Sequence, residues 1–157
     1  MVERFDFVKA TDRPALIAFS NPEWLEITRG ALLELGYKVH TAATHGDFMI
    51  RFNQVRYLVV VLEELFCANT REENVTLKTL QQMPMSQRRH ATIILVGESF
   101  QTFTPLEAFR QSVHAVVNPS ELFLMKQLIE KAVTDNEVFY STYRIALERV
   151  RSGSPSR

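Results

Sequence analysis

Short, almost wholly apolar runs constrain this chain more than anything else in it. They are residues 14–20 (PALIAFS), 57–62 (YLVVVL), 92–96 (TIILV) and 115–117 (AVV). None alternates apolar with polar, which is the pattern of strands buried on both faces. The segments between them read as helices. In EWLEITRGALLELG, residues Trp24, Ile27, Ala31, Leu32 and Leu35 share one helical face. Asn21 can cap that helix, Pro22 suits its first turn, and Gly36 can end it. Residues 37–43 (YKVHTAA) supply a fifth strand-like run. Thr44 can cap a helix carrying Phe48, Ile50 and Phe52. Residues 70–83 read as another, with Glu72 and Glu73 in its positive first turn and Val75, Leu77 and Leu80 as apolar candidates. Thr104-Pro105 opens a further capped helix. Strands alternating with helices in this way predict a doubly wound α/β sandwich with a five-stranded parallel sheet and right-handed crossovers.

With 157 residues, the chain has the length of one domain with a substantial core. We expect a lead-in over 1–13, the sandwich over 14–133, a helical extension over 134–151 and a disordered tail over 152–157. Lys plus Arg balance Asp plus Glu at 18 each, so no net field draws the protein to nucleic acid or to a membrane surface. No apolar run approaches the ~20 residues that cross a bilayer. The opening MVERFDFVKATDR does not read as a secretory signal, and Cys67 is the only cysteine, so a reducing cytoplasm is the expected compartment. His40, His45, His90 and His114 show no metal-ligand spacing, and Cys67 has no placed base. No metal and no cofactor is expected. Arg88-Arg89-His90, with Arg71 and Lys78 nearby in sequence, forms a small basic patch that reads as a solvated loop.

From 120 to 151 there is no glycine or proline. Leu122, Met125, Ile129, Ala132, Asn136, Phe139, Tyr143, Ala146 and Val150 recur at alternating spacings of three and four. That is a heptad seam, with Asn136 as a polar register-setting position, and it predicts an extended helix that joins two copies. The alternative is two helices meeting near Thr134, because Thr134-Asp135-Asn136-Glu137 also makes a capping box.

With these elements in order, residues 14–133 resemble a response-regulator receiver domain, a CheY-like fold of strand order 2-1-3-4-5. The resemblance rests on LGYKVHTAA after the first helix, YLVVVLEEL as third strand, TIILVG as fourth and AVVNPSEL at the fifth. It implies an acidic pair after the first strand, a phosphorylated aspartate after the third, a hydroxyl residue after the fourth, and a lysine before a cis proline after the fifth. Here Ser20 and Asn21 stand for the acidic pair and Glu63, followed by Glu64, for the aspartate. Val96 stands for the hydroxyl residue, Asn118 for the lysine and Ala115 for the aromatic switch residue. Only Pro119 is kept, and the resemblance implies a cis Asn118-Pro119 bond. A hard divalent ion wants several oxygen ligands, and phosphoryl transfer runs on positioning and charge neutralisation, so the residues present predict no autophosphorylation. Glu63 could instead mimic a phosphoryl group. The expectation is rather that both glutamates are solvated at the strand end, because Val96 and Ala115 cannot read such a charge.

The leading expectation is therefore a non-enzymatic pseudo-receiver in a two-component-type pathway, binding another signalling protein and forming a homodimer through its terminal helix. Phe100, Phe103, Phe109 and Ala115 are the expected interaction surface. The alternative is a small-ligand sensor that binds a nucleotide or anion at the strands' carboxyl ends, where open α/β sheets bind ligands. No Gly-rich phosphate loop follows any strand. A DNA-binding regulator is a third possibility, for which the chain lacks a helix-turn-helix unit.

Overall fold

The computed structural model describes residues 8–153. Five parallel strands, β1 (Pro14–Ala18), β2 (Lys38–Ala42), β3 (Val59–Glu63), β4 (Thr92–Val96) and β5 (Ala115–Val117), pair in the order β2-β1-β3-β4-β5. They alternate with α1 (Pro22–Glu34), α2 (His45–Gln54), α3 (Val75–Gln82), the four-residue α4 (Met85–Arg88) and α5 (Pro105–Gln111). The long α6 (Met125–Arg151) follows β5. This is the expected doubly wound α/β fold, and the strand alternation sorts its core into two layers. Leu16, Ala18, Val60, Leu62, Ile93, Leu95 and Val116 face Phe48, Phe52, Leu77 and Leu80. Ala15, Ile17, Val61, Ile94, Val96, Ala115 and Val117 face Leu32, Met125, Ile129 and Ala132.

Several sequence expectations shift by a residue or a turn. The third strand runs on through Glu63, whose backbone registers with Val96. The buried line of α1 passes through Thr28 and Leu32, leaving Ile27 exposed, while Ile50 and Val75 also face outward. The helix expected over 70–83 begins as a 3-10 turn, Arg71–Glu73, and breaks at Asn74. Asn74 is fully buried. Its amide nitrogen donates to the carbonyls of Glu63 and Glu64 at 3.0 and 2.9 Å, and its Oδ1 caps Leu77 N–H, so one side chain ends a strand turn and starts α3.

Asn118-Pro119 is not cis: no cis peptide bond occurs among the described residues. Asn118 is extended and its Oδ1 accepts from Ser120 N–H at 2.9 Å, while Pro119 opens the 3-10 segment Pro119–Leu124, a position where its missing N–H costs nothing.

α6 runs unbroken from Met125 to Arg151, about 40 Å, and Thr134 lies inside it rather than at a cap. Its two halves differ. Leu122, Met125, Ile129 and Ala132 are buried against their own sandwich and cannot form a seam between copies. Asn136 is no register-setter either, because its Nδ2 donates to Thr92 Oγ1 at 2.9 Å and ties the helix to the start of β4. Beyond it Phe139 (71% exposed), Ala146 and Val150 (77%) are bare, while Tyr143 is partly covered by the Arg89 guanidinium over its ring. The expected disordered tail lies outside the described residues from 154 on. So does the lead-in as far as residue 7.

Candidate functional site

A self-satisfied acidic site closes the carboxyl end of the sheet. Glu63 and Glu64 end β3, and the expectation that water surrounds them is corrected: they are 8% and 6% exposed. Burial of a carboxylate is costly unless donors replace the water, and here donors do. Glu63 Oε1 accepts from the backbone N–H groups of Ser20 at 2.6 Å and Asn21 at 3.2 Å, at the positive amino end of α1. Asn21 itself caps that helix, its Oδ1 accepting from Glu23 and Trp24 N–H. Ser20 Oγ accepts from Cys67 N–H at 3.0 Å, closing the loop after β3 onto the loop after β1.

Glu64 points the other way. Its Oε2 accepts from Arg71 Nε at 2.9 Å and from Ser99 Oγ at 2.6 Å, joining the 3-10 turn before α3 to the loop after β4. The guanidinium of Arg71 lies over the Phe100 ring at 5.4 Å. Gly97 is needed here, since a Cβ on it would come within 2.2 Å of Glu64 Oε1 and 2.6 Å of Glu64 Cβ. Val96 is fully buried in the sheet. Asn118 donates through Nδ2 to Phe100 O at 2.8 Å, and its backbone N–H donates to Thr102 Oγ1, so it braces the loop after β4.

The two carboxylates already accept four hydrogen bonds at this end, two on Glu63 Oε1 and two on Glu64 Oε2, and a divalent cation would have to compete with those donors for both groups. Among the described residues no three His, Cys, Asp or Glu gather in a way that could hold a metal. Cavities of about 960, 570 and 240 Å³ lie elsewhere, against α2 and against α6.

The expected interaction surface comes apart. Phe100 and Ala115 are buried, 3% and 1% exposed, because both complete core layers. Phe103 is half-buried against the α6 layer, in a left-handed turn with φ 54°. Phe109 alone is open, at 80%, beside exposed Leu106 on α5. The basic patch disperses too. Arg88 is buried and donates to the carbonyls of Leu80 and Ser112, and Arg71 is spent on Glu64.

Arg89 and His90 instead join a cleft at the opposite, amino end of the sheet. It holds Arg13 before β1, Tyr37 before β2, Arg56 before β3, and Tyr140 and Arg144 of α6. They come from four connections and α6, and of them only the Arg88-Arg89-His90 run is visible as a patch in sequence. Burial, then the nearby Arg56 charge, lowers the His90 pKa below its usual value, and burial raises that of Tyr37.

No protein-family model matches the chain, and no curated protein matches it. Solved structures do. The chain resembles NtrX from Brucella abortus with a TM-score of 0.66 and 14% identity over 92% of its length, and it spans 31% of that NtrX chain. It resembles the chemotaxis response regulator CheY4 of Vibrio cholerae with a TM-score of 0.57 and 17% identity, covering 78% of this chain and 99% of CheY4. The signal receiver domain of a LuxO repressor protein from Vibrio parahaemolyticus gives 0.63 at 8% identity, over 83% and 97% of the two chains. These likenesses define the class of the fold: a five-stranded receiver-type sandwich. At such identities they carry the fold and leave the chemistry to the residues just described. No helix among the described residues is long and apolar enough to cross a membrane.

Proposed function

We propose that this protein is a phosphorylation-independent pseudo-receiver, a non-enzymatic interaction module of a two-component-type pathway. The observation that carries the reading is the occupation of the acidic site by the chain's own donors. A receiver that answers to phosphorylation needs a carboxylate free to take the phosphoryl group and acids free to hold its metal. Here Glu63 is bonded to Ser20 and Asn21 N–H, Glu64 to Arg71 and Ser99, and Asn118 carries no positive charge to meet a phosphoryl oxygen. Arg71 and Ser99 reach Glu64 from two loops, so the site is held in one state without an added group.

The surfaces offered to partners are then the exposed Leu106–Phe109 face of α5 and the distal half of α6. The occupant assigned to the distal α6 face is a second copy, since Phe139, Tyr143, Ala146 and Val150 keep the heptad spacing beyond the core layer, with Arg89 alone reaching the Tyr143 ring. The test of phosphorylation independence is incubation with a small phosphodonor and Mg²⁺, read by intact mass. The mass stays that of the chain; one added phosphoryl group, mapped to Glu63 or Glu64, overturns the proposal.

A further inference from the structure

We propose that the arginine-lined cleft at the amino end of the sheet binds a small phosphate-bearing molecule of nucleotide size. The cleft is distinct from the acidic site, which lies at the other end of every strand. Its volume, about 570 Å³, is that of a small-molecule pocket. Four guanidinium groups line it, those of Arg13, Arg56, Arg89 and Arg144, against the single carboxylate of Glu137. None of the four arginines is in an ion pair among the described residues. In a chain with equal numbers of acidic and basic residues, such a local excess of three positive charges is a concentration of field in one concavity.

Four guanidinium groups around one concavity suit a multiply charged oxyanion such as a phosphate. Arginine's planar fork bonds phosphate oxygens in pairs, and four forks from three connections and α6 surround a ligand rather than lying along an extended strand. Three of them are already held in place by aromatic faces. Arg13 lies over Tyr37 at 4.3 Å, Arg89 over Tyr143 at 5.5 Å and Arg144 over Tyr140 at 5.4 Å. That arrangement also offers aromatic and guanidinium surfaces to a flat ring. The wall adds an unmet polar group: both ring nitrogens of His90 lack a hydrogen-bond partner among the described residues.

The test is calorimetric titration of the whole chain at low ionic strength with ADP, inorganic pyrophosphate and adenosine, and with a single-stranded oligonucleotide. ADP and pyrophosphate bind and adenosine does not. Tighter binding of ADP than of pyrophosphate assigns a nucleotide; equal binding assigns a phosphate compound whose remainder is not read. Arg89→Gln and Arg144→Gln, side chains at the surface whose loss leaves the core intact, each weaken binding about tenfold, as expected for losing a charge-assisted bond. Arg110→Gln on α5, away from the cleft, leaves it unchanged. Three results would overturn the proposal: no heat with either phosphate probe, binding indifferent to the Arg89 and Arg144 changes, or an oligonucleotide that binds more tightly with each added nucleotide.

Discussion

At the scale of single residues, Glu64 and Gly97 are one device. The carboxylate can lie across the start of the loop after β4 only because residue 97 has no side chain. Glu64→Gln keeps the shape and weakens the bonds to Arg71 and Ser99, which should cost about 1–3 kcal/mol in denaturant unfolding. Gly97→Ala should cost more, about 2–4 kcal/mol, because a Cβ pushes Glu64 off both partners and overpacks the turn. Equal stability of the alanine variant and the parent would contradict this account. His114 sets the acid limit. Its Nδ1 accepts from Ile93 N–H at 2.9 Å, and burial first, then the charge of Arg88, lowers its pKa to about 4 from the ordinary 6.5. The unfolded chain therefore binds this proton more readily than the fold does. The stabilisation from a neutral His114 is complete above pH 6.5 and is lost as pH falls toward 4, up to about 3 kcal/mol in all. Urea midpoints measured across that window should fall with pH, and His114→Asn, which keeps an acceptor for Ile93, should flatten the slope.

At the scale of elements, α6 shows what a periodic pattern can and cannot disclose. Its heptad spacing was legible from Leu122 to Val150, and the helix forms without a break from Met125, with Leu122 in the 3-10 segment before it. What the spacing could not carry was the identity of the covering surface. The same stripe packs on its own sheet as far as Ala132 and is largely exposed from Phe139, because the core layer ends where Asn136 meets Thr92 and only Arg89 reaches Tyr143 beyond it. Asn136→Leu separates the two roles of that residue. A register-setting asparagine would be replaced with a gain in dimer stability. As an anchor to a Thr92 that is 3% exposed, its loss should instead destabilise the chain by about 1–2 kcal/mol. Light scattering tests the distal half. With about two heptads free, self-association should depend on concentration, and Phe139→Glu with Val150→Glu should leave a monomer of unchanged fold. A monomer at every concentration in the parent would remove the second copy from the account.

At the scale of the molecule, the sheet has two ends with opposite characters. The parallel sheet covered on both faces could be read from the apolar runs, since such burial leaves little room for other patterns, whereas its strand order comes from the receiver resemblance. The receiver resemblance points to Ser20, Glu63 and Asn118 at the strands' carboxyl ends. The state of that site was not legible. Whether a carboxylate at a strand end meets water or backbone N–H groups depends on loops that touch only in three dimensions, as Ser20 and Glu63 do across 43 residues. The arginine cleft was illegible for the same reason: Arg13, Arg56 and Arg144 sit alone before a strand or on α6, and only Arg89, in the Arg88-Arg89-His90 run, stood out in sequence. The central claim is that the acidic end is sealed by the chain itself, and the backbone N–H groups of Ser20 and Asn21 report on it directly. Their NMR resonances, followed while Mg²⁺ is titrated to millimolar concentration, should stay where they are. Saturable shifts at these two amides, with release of their bonds to Glu63, would show an open metal site and contradict the account.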